Sequence, residues 1–329
     1  MRQTFAHPIQ QSKRPSKKSI AESKLKRLFQ LVNSLIRNGK PSRFDYLLDK
    51  LQEARIQLDP FEHIYIENFL RADDFSEIIA CPQISIGKSV SHEHLLLSLI
   101  DCGYGAQKFP GCTSSLIEYV RFLNGEIKSA NIDTCETMGM ALRLQSVQTT
   151  ILENLLSFLS SARFVQLLVN KFNIKEKCHH DYGIQKYLTG YEISPHPDIK
   201  RKKLTYMLNI NSDPFSETQS YHTHYLSFKN NHKQIYDFWL PESTDTCWVP
   251  WNWCKTNFIQ NKNNSLVLFA PSNKSLHAIK CVYNDMEHQR TQVYGNLWSL
   301  ENILEREQHT WHELKSFCKD PKNNISTES

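Results

Sequence analysis

The residues of this 329-residue chain best suited to chemistry sit in Tyr187-Leu-Thr-Gly-Tyr-Glu-Ile-Ser-Pro-His196-Pro-Asp198. In an extended segment residues i and i+2 project to the same side, so His196 and Asp198 can present an imidazole nitrogen and a carboxylate oxygen to one ion. A third ligand must come from elsewhere. His277, in Asn273-Lys-Ser-Leu-His277-Ala-Ile, follows the apolar run Leu266-Val-Leu-Phe269 and a Pro271-Ser-Asn turn, where a neighbouring strand would begin. Two imidazoles and one carboxylate on one face of a metal leave three positions open, an arrangement suited to Fe(II) and O2 chemistry. After His277, Arg290 opens the run Arg290-Thr-Gln-Val-Tyr-Gly-Asn-Leu-Trp298. Its fixed fork of donors takes a carboxylate in bidentate fashion.

Other polar and aromatic groups read differently. His222 and His224, two apart on a strand-like run, share a face and are expected to line a substrate cleft rather than to bind metal. Cys178-His179-His180-Asp181 has the composition of a metal cluster, but adjacent strand residues point oppositely and cannot easily converge on one ion. Between Asn209 and Asn264 lie about fifty residues, more than one strand-to-strand passage needs. They carry Trp251 and Trp253, which either plug a core or form a lid that contacts substrate.

The frame that must position these groups follows from composition and pattern. With 40% hydrophobic and 22% charged residues, a sizeable core can be buried and global disorder is excluded. No apolar run approaches the ~20 residues that cross a bilayer, and the basic N-terminus has no apolar stretch of a secretory signal. Nine scattered cysteines without a Cys-x-x-Cys pair argue for a reducing compartment, so a cytoplasmic location is expected. A net charge of +5 is mild and concentrated near the N-terminus. It is expected to be a solvated arm, and nucleic acid is not expected as a partner.

Residues 1–22 read as a disordered basic arm. Residues 23–58 read as a helical hairpin, with Leu25 to Ile36 on one helix, a stop at Asn38-Gly39 and Pro41, and Phe44, Leu47, Leu48 and Leu51 on the next. An alternating run, Pro60 to Leu70, opens a section of strand and supporting helices over 59–180, whose clearest helix carries Val147, Ile151, Leu152, Leu155, Leu156 and Leu159. Short β-rich runs separated by Asn, Ser, Pro and Asp fill 181–298, and an amphipathic helix begins the last section, 299–329. The class is α+β, with no βαβ alternation.

From about 181 to 298 the chain resembles the iron(II)- and 2-oxoglutarate-dependent dioxygenases, nearest in pattern to their prolyl-hydroxylase-like branch. The resemblance is carried by the ordered series Tyr187 with Gly190-Tyr191, His196 and Asp198, Leu204-Thr-Tyr-Met-Leu-Asn209, Asn264-Ser-Leu-Val-Leu-Phe269, Leu276-His277-Ala278 and Arg290. It implies a double-stranded β-helix (jelly roll) barrel with flanking helices and an α-rich N-terminal half. It also implies Fe(II) on His196, Asp198 and His277, with Arg290 on the far carboxylate of 2-oxoglutarate. The implied reaction consumes O2 and 2-oxoglutarate, with ascorbate as a reductant, releases succinate and CO2, and hydroxylates an unactivated C–H of a small-molecule or peptidyl substrate.

Tyr187 either bonds the cofactor carboxylate or packs in the barrel. The branch places a tyrosine immediately before Leu-Asn; here that position is Met207, and Tyr206, one residue earlier, is the cofactor-binding candidate. Tyr221-His-Thr-His-Tyr225 stands where the branch has a Gly-Gly pair, and Asn296 where nucleic-acid-demethylating relatives have a second arginine. Halogenating relatives lack the carboxylate that Asp198 keeps, which points to hydroxylation. Lys280 is the next anchor to consider after Arg290. The alternatives are a non-catalytic jelly roll that retains the metal motif and binds a ligand or partner, and a cupin-type dioxygenase that needs no carboxylate anchor.

Overall fold

A computed structural model describes residues 42–108, 112–127, 138–232 and 249–301. The expected basic arm, the first helix of the expected hairpin and the helix expected near the C-terminus fall outside these residues. Before residue 172 the described chain carries six helices: α1 (Tyr46–Glu53), α2 (Ala72–Ala80), α3 (His92–Asp101), α4 (Leu116–Leu123), α5 (Thr150–Leu159) and α6 (Ala162–Lys171). Ser91, Ser115 and Ser161 cap α3, α4 and α6, each side chain accepting a backbone N–H three residues on. On α5, Ile151, Leu152, Leu155, Phe158 and Leu159 are buried, the face that their helical spacing dictates.

The strands are β1 (His63–Ile66), β2 (Tyr104–Gln107), β3 (Ala141–Leu144), β4 (Cys178–Tyr187), β5 (Glu192–His196) and β6 (Lys202–Asn209). They continue with β7 (Thr223–Phe228), β8 (Cys254–Gln260), β9 (Leu266–Phe269), β10 (His277–Lys280) and β11 (Arg290–Ser299). They form a seven-stranded sheet, order β1-β9-β6-β11-β4-β3-β2, and a four-stranded sheet, order β5-β10-β7-β8. From β4 onward the chain passes back and forth between the two sheets. All the pairings are antiparallel. Strands β2 and β3 extend the large sheet with residues from the helical section, which the sequence reading did not foresee.

Alternation along β11 sorts its side chains. Val293 and Leu297 point into the core that the helices form with Ile184, Leu204 and Leu208. Gly295 lies beneath Tyr206, where a Cβ would fall 2.2 Å from that ring. Arg290, Gln292, Tyr294, Asn296 and Trp298 therefore share the opposite face, toward the small sheet. Between the sheets, Met207, Val267 and Phe269 pack with Phe61 and Tyr225. A separate cluster of Leu226, Phe228, Val249, Cys254, Leu276 and Ala278 covers the outer face of the small sheet.

Candidate metal centre

Strand β5 ends at His196 and β10 begins at His277, and the two are Cα partners in the antiparallel ladder. Their rings stand 4.4 Å apart between centroids. Asp198 follows two residues after His196, and the three residues bring one ligand atom each within 4.8 Å of one another. His277 Nε2 is 4.0 Å from Asp198 Oδ2. Each histidine is also oriented from behind. His196 Nδ1 bonds the carbonyl of Ser194 at 2.8 Å, and His277 Nδ1 bonds that of Ser275 at 3.0 Å. A carbonyl only accepts, so both Nδ1 atoms carry the proton and both Nε2 lone pairs are left for an ion.

Burial reinforces this state. It pushes the His196 imidazole down to about 3, with His277 adding to the effect. It also lowers His277. Burial alone would raise Asp198, but the charge of Lys202, reinforced by the two imidazoles, outweighs it and holds the carboxylate well below its ordinary range. Lys202 Nζ donates to Asp198 Oδ1 at 2.6 Å, and Thr205 Oγ1 donates to Oδ2 at 2.5 Å. Two neutral imidazole nitrogens and an ionised carboxylate form a donor set that fits a divalent iron, with coordination positions left over.

Arg290 is 2% exposed. Its Nη2 donates to Thr223 Oγ1 at 3.0 Å, and its guanidinium carbon lies 4.5 Å from the centroid of the Tyr187 ring. Its Nε is buried without a hydrogen-bond partner. Among the described residues no carboxylate pairs with it. A buried cation left like this is strongly unfavourable unless an anion meets it. Thr223 is the Cα partner of Ile279, two residues beyond His277. The offset between Arg290's anchor point and the histidine pair is therefore about 7 Å along the strand at ~3.4 Å per residue. A five-carbon dicarboxylate has the length to reach from one to the other.

The other sequence candidates are placed as follows. Tyr187 touches Arg290 through its ring, and its hydroxyl is hydrogen-bonded to the side chain of Gln185. Tyr206 is not at the site, which corrects the sequence expectation. It points to the helical side of β6, bonds His180 Nε2 at 3.0 Å and packs edge-on to Phe164. His222 is buried and donates Nε2–H to the Ser216 carbonyl at 2.8 Å. His224 pairs with Ala278, one position from His277, so it projects from the opposite face of the small sheet.

Trp251 and Trp253 pack on that same outer face, and Trp251 Nε1 donates to Glu192 at 2.9 Å. Neither tryptophan nor His224 is brought to the triad. Lys280 pairs with Glu192 at 2.9 Å, also on the outer face, rather than with Arg290's surroundings. His180 and Asp181 project to opposite faces of β4, the first to Tyr206 and the second to Arg143 at 2.6 Å. Sequence reasoning missed Lys202 and Thr205. Lys202 sits in Lys200-Arg-Lys-Lys203, four consecutive basic residues. Its spacing of four from Asp198 was the available signal.

No family model matches the chain, and no curated protein matches it. Among solved structures, the chain is similar to a prolyl hydroxylase from Trichoplax adhaerens in complex with a hypoxia inducible factor oxygen degradation domain peptide fragment. The identity is 12% over 80% of this chain and 96% of that one, with a TM-score of 0.46. It is similar to a Pseudomonas putida prolyl-4-hydroxylase at 11% identity over 78% and 98%, TM-score 0.37. A 2OG-Fe(II) oxygenase family oxidoreductase from Burkholderia pseudomallei matches at 11% over 68% and 98%, TM-score 0.28. The chemistry of the site follows from its own atoms.

Proposed function

We propose that the protein is an iron(II)- and 2-oxoglutarate-dependent hydroxylase built on a double-stranded β-helix. The observation that carries this reading is the buried guanidinium of Arg290, which no carboxylate meets among the described residues. It bonds Thr223, itself opposite a residue two along the strand from His277 of the His-Asp-His cluster. A metal site alone does not call for a fixed cation at that distance, whereas a dicarboxylate bound between metal and arginine does.

In this reading His196, Asp198 and His277 hold the iron, and Arg290 takes the distal carboxylate. The bound metal and cosubstrate supply O2 activation, with succinate and CO2 released for each C–H hydroxylated. The protein's share is orientation. Ser194 and Ser275 fix the imidazoles, Lys202 and Thr205 fix the carboxylate, and Thr223 and Tyr187 hold the guanidinium in place. The substrate is a small molecule or a peptide segment. Cys81, Cys102, Cys178, Cys254 and Cys281 are free thiols, which suits the cytoplasmic setting expected from the sequence.

The test is succinate release from 2-oxoglutarate by the iron-loaded full-length protein, with and without candidate substrates, beside Asp198→Ala. Iron-dependent turnover lost in the variant is the expected result. Turnover equal in both proteins sinks the metal assignment, and iron binding without any turnover favours a non-catalytic binder.

A further inference from the structure

The carboxylate of the triad already has a cation. Lys202 Nζ lies 2.6 Å from Asp198 Oδ1 and donates to the Tyr294 hydroxyl at 3.0 Å. The ammonium also sits 5.7 Å from the centroid of the Tyr294 ring and 5.4 Å from that of Trp298. Its side chain is 12% exposed, so leaving for bulk water would break all of these contacts together. A divalent ion entering between His196, His277 and Asp198 therefore meets a carboxylate whose charge is balanced beforehand. It brings two positive charges next to a third that is held in place.

We infer that Lys202 is a built-in counter-ion of Asp198 that makes metal binding depend on an anionic co-ligand. It is a positioning residue acting through Asp198, and the inference rests on the metal reading of the site. Before the ion arrives the carboxylate and ammonium sum to zero, and after it arrives the ion, Asp198 and Lys202 together carry two uncompensated positive charges, in addition to that of Arg290. A dianion such as 2-oxoglutarate cancels them. Metal alone is held weakly, and metal with the dicarboxylate is held strongly, so the site loads its two small partners as a pair.

The experiment titrates full-length protein with Mn(II), which does not react with O2 here, and reads free Mn(II) by electron paramagnetic resonance. Wild type, Lys202→Met, Lys202→Arg and Asp198→Ala are compared with and without 2-oxoglutarate, each checked for its melting temperature. Without 2-oxoglutarate, Lys202→Met should bind Mn(II) about ten- to a hundredfold more tightly than wild type, the order expected for removing one nearby charge at a partly screened site. Lys202→Arg should stay within about threefold of wild type, and 2-oxoglutarate should tighten Mn(II) at least about tenfold more in wild type than in Lys202→Met.

Equal or weaker binding by a folded Lys202→Met overturns the inference. Should that variant not fold, Lys202→Gln takes its place in the same comparison, and equal or weaker Mn(II) binding by it overturns the inference. Binding by wild type that Asp198→Ala loses, without a gain in Lys202→Met, sinks the counter-ion role and leaves the metal centre standing. Binding by neither wild type nor any variant sinks both.

Discussion

His277 lies directly across the β5–β10 ladder from His196. Directly opposed residues on one face of an antiparallel pair keep their Cβ atoms about 5 Å apart. The backbone hydrogen bonds therefore set the spacing of the two imidazoles before any ion binds. For His277→Gln the expected outcome is a fall in Mn(II) affinity of at least about a hundredfold with little change in melting temperature. Metal titration beside thermal denaturation checks it, and unaltered affinity would remove His277 from the ligand set.

Replacing Arg290 by Met should raise the Michaelis constant for 2-oxoglutarate about ten- to a hundredfold, by loss of a charge-assisted contact. Without ligand the melting temperature should hold or rise, because among the described residues no carboxylate is left behind by the change. Added 2-oxoglutarate should stabilise wild type to heat and leave Arg290→Met unmoved. A ligand shift of equal size in both would move the anchor elsewhere.

Tyr206→Phe tests the corrected placement of that tyrosine. Its hydroxyl meets His180 on the helical side of the sheet, so its loss should lower stability by about 1 kcal/mol. The Michaelis constant for 2-oxoglutarate should be unchanged. A tenfold rise in that constant without a change in stability would return Tyr206 to the cofactor.

The double variant Trp251→Ala, Trp253→Ala separates a lid from a packing role. Both rings pack against the cluster that contains Leu226, Phe228 and Ala278 on the outer face of the small sheet. Deleting them should lower stability by about 2–4 kcal/mol, with substrate-independent 2-oxoglutarate turnover and hydroxylation falling together near the melting transition. Normal stability with hydroxylation alone abolished would restore the lid.

Burial holds Lys186 down to about 7 from an ordinary 10.5. Its ammonium nitrogen bonds the Ile84 carbonyl at 2.7 Å and Thr291 Oγ1 at 2.8 Å. Between those two values the unfolded chain carries a proton that the folded chain has released, so the burden of this group on stability is greatest at and below pH 7 and fades as pH rises toward 10.5. From pH 7 to 9, wild-type stability should therefore gain on that of Lys186→Met by up to about 2.7 kcal/mol. Denaturant titrations at both pH values check this, and a constant difference would mean that Lys186 stays charged when buried.

The grouping of His196, Asp198 and His277 was legible because its geometry is local or nearly so. His196 and Asp198 follow the two-residue period, and an apolar run followed by a turn placed His277 at a strand start. Tyr206 was misplaced because Leu204-Thr-Tyr-Met-Leu-Asn209 is buried on both faces. A strand of that kind shows no polar–apolar alternation from which to tell its sides apart. The side taken by Trp251, Trp253 and His224 was not legible for a related reason, since sequence proximity to the triad does not say which side of a two-layer sheet a residue takes. Strands β2 and β3, four residues each, are too short for periodicity to reveal. Lys202 was hidden by its neighbours, as only a folded partner distinguishes one lysine in a basic run.

The offset between Thr223 and His277 is counted in whole residues of a hydrogen-bonded ladder. A gap built this way changes in steps of one strand residue, and an odd step would turn the side chain to the wrong face. Keto diacids one carbon shorter or longer differ by about a third of such a step. Under the proposed function, chain-length selectivity at this site would therefore be digital: drift in a loop could not relax it, and only a paired insertion or deletion within β7 or β10 would reset the ruler.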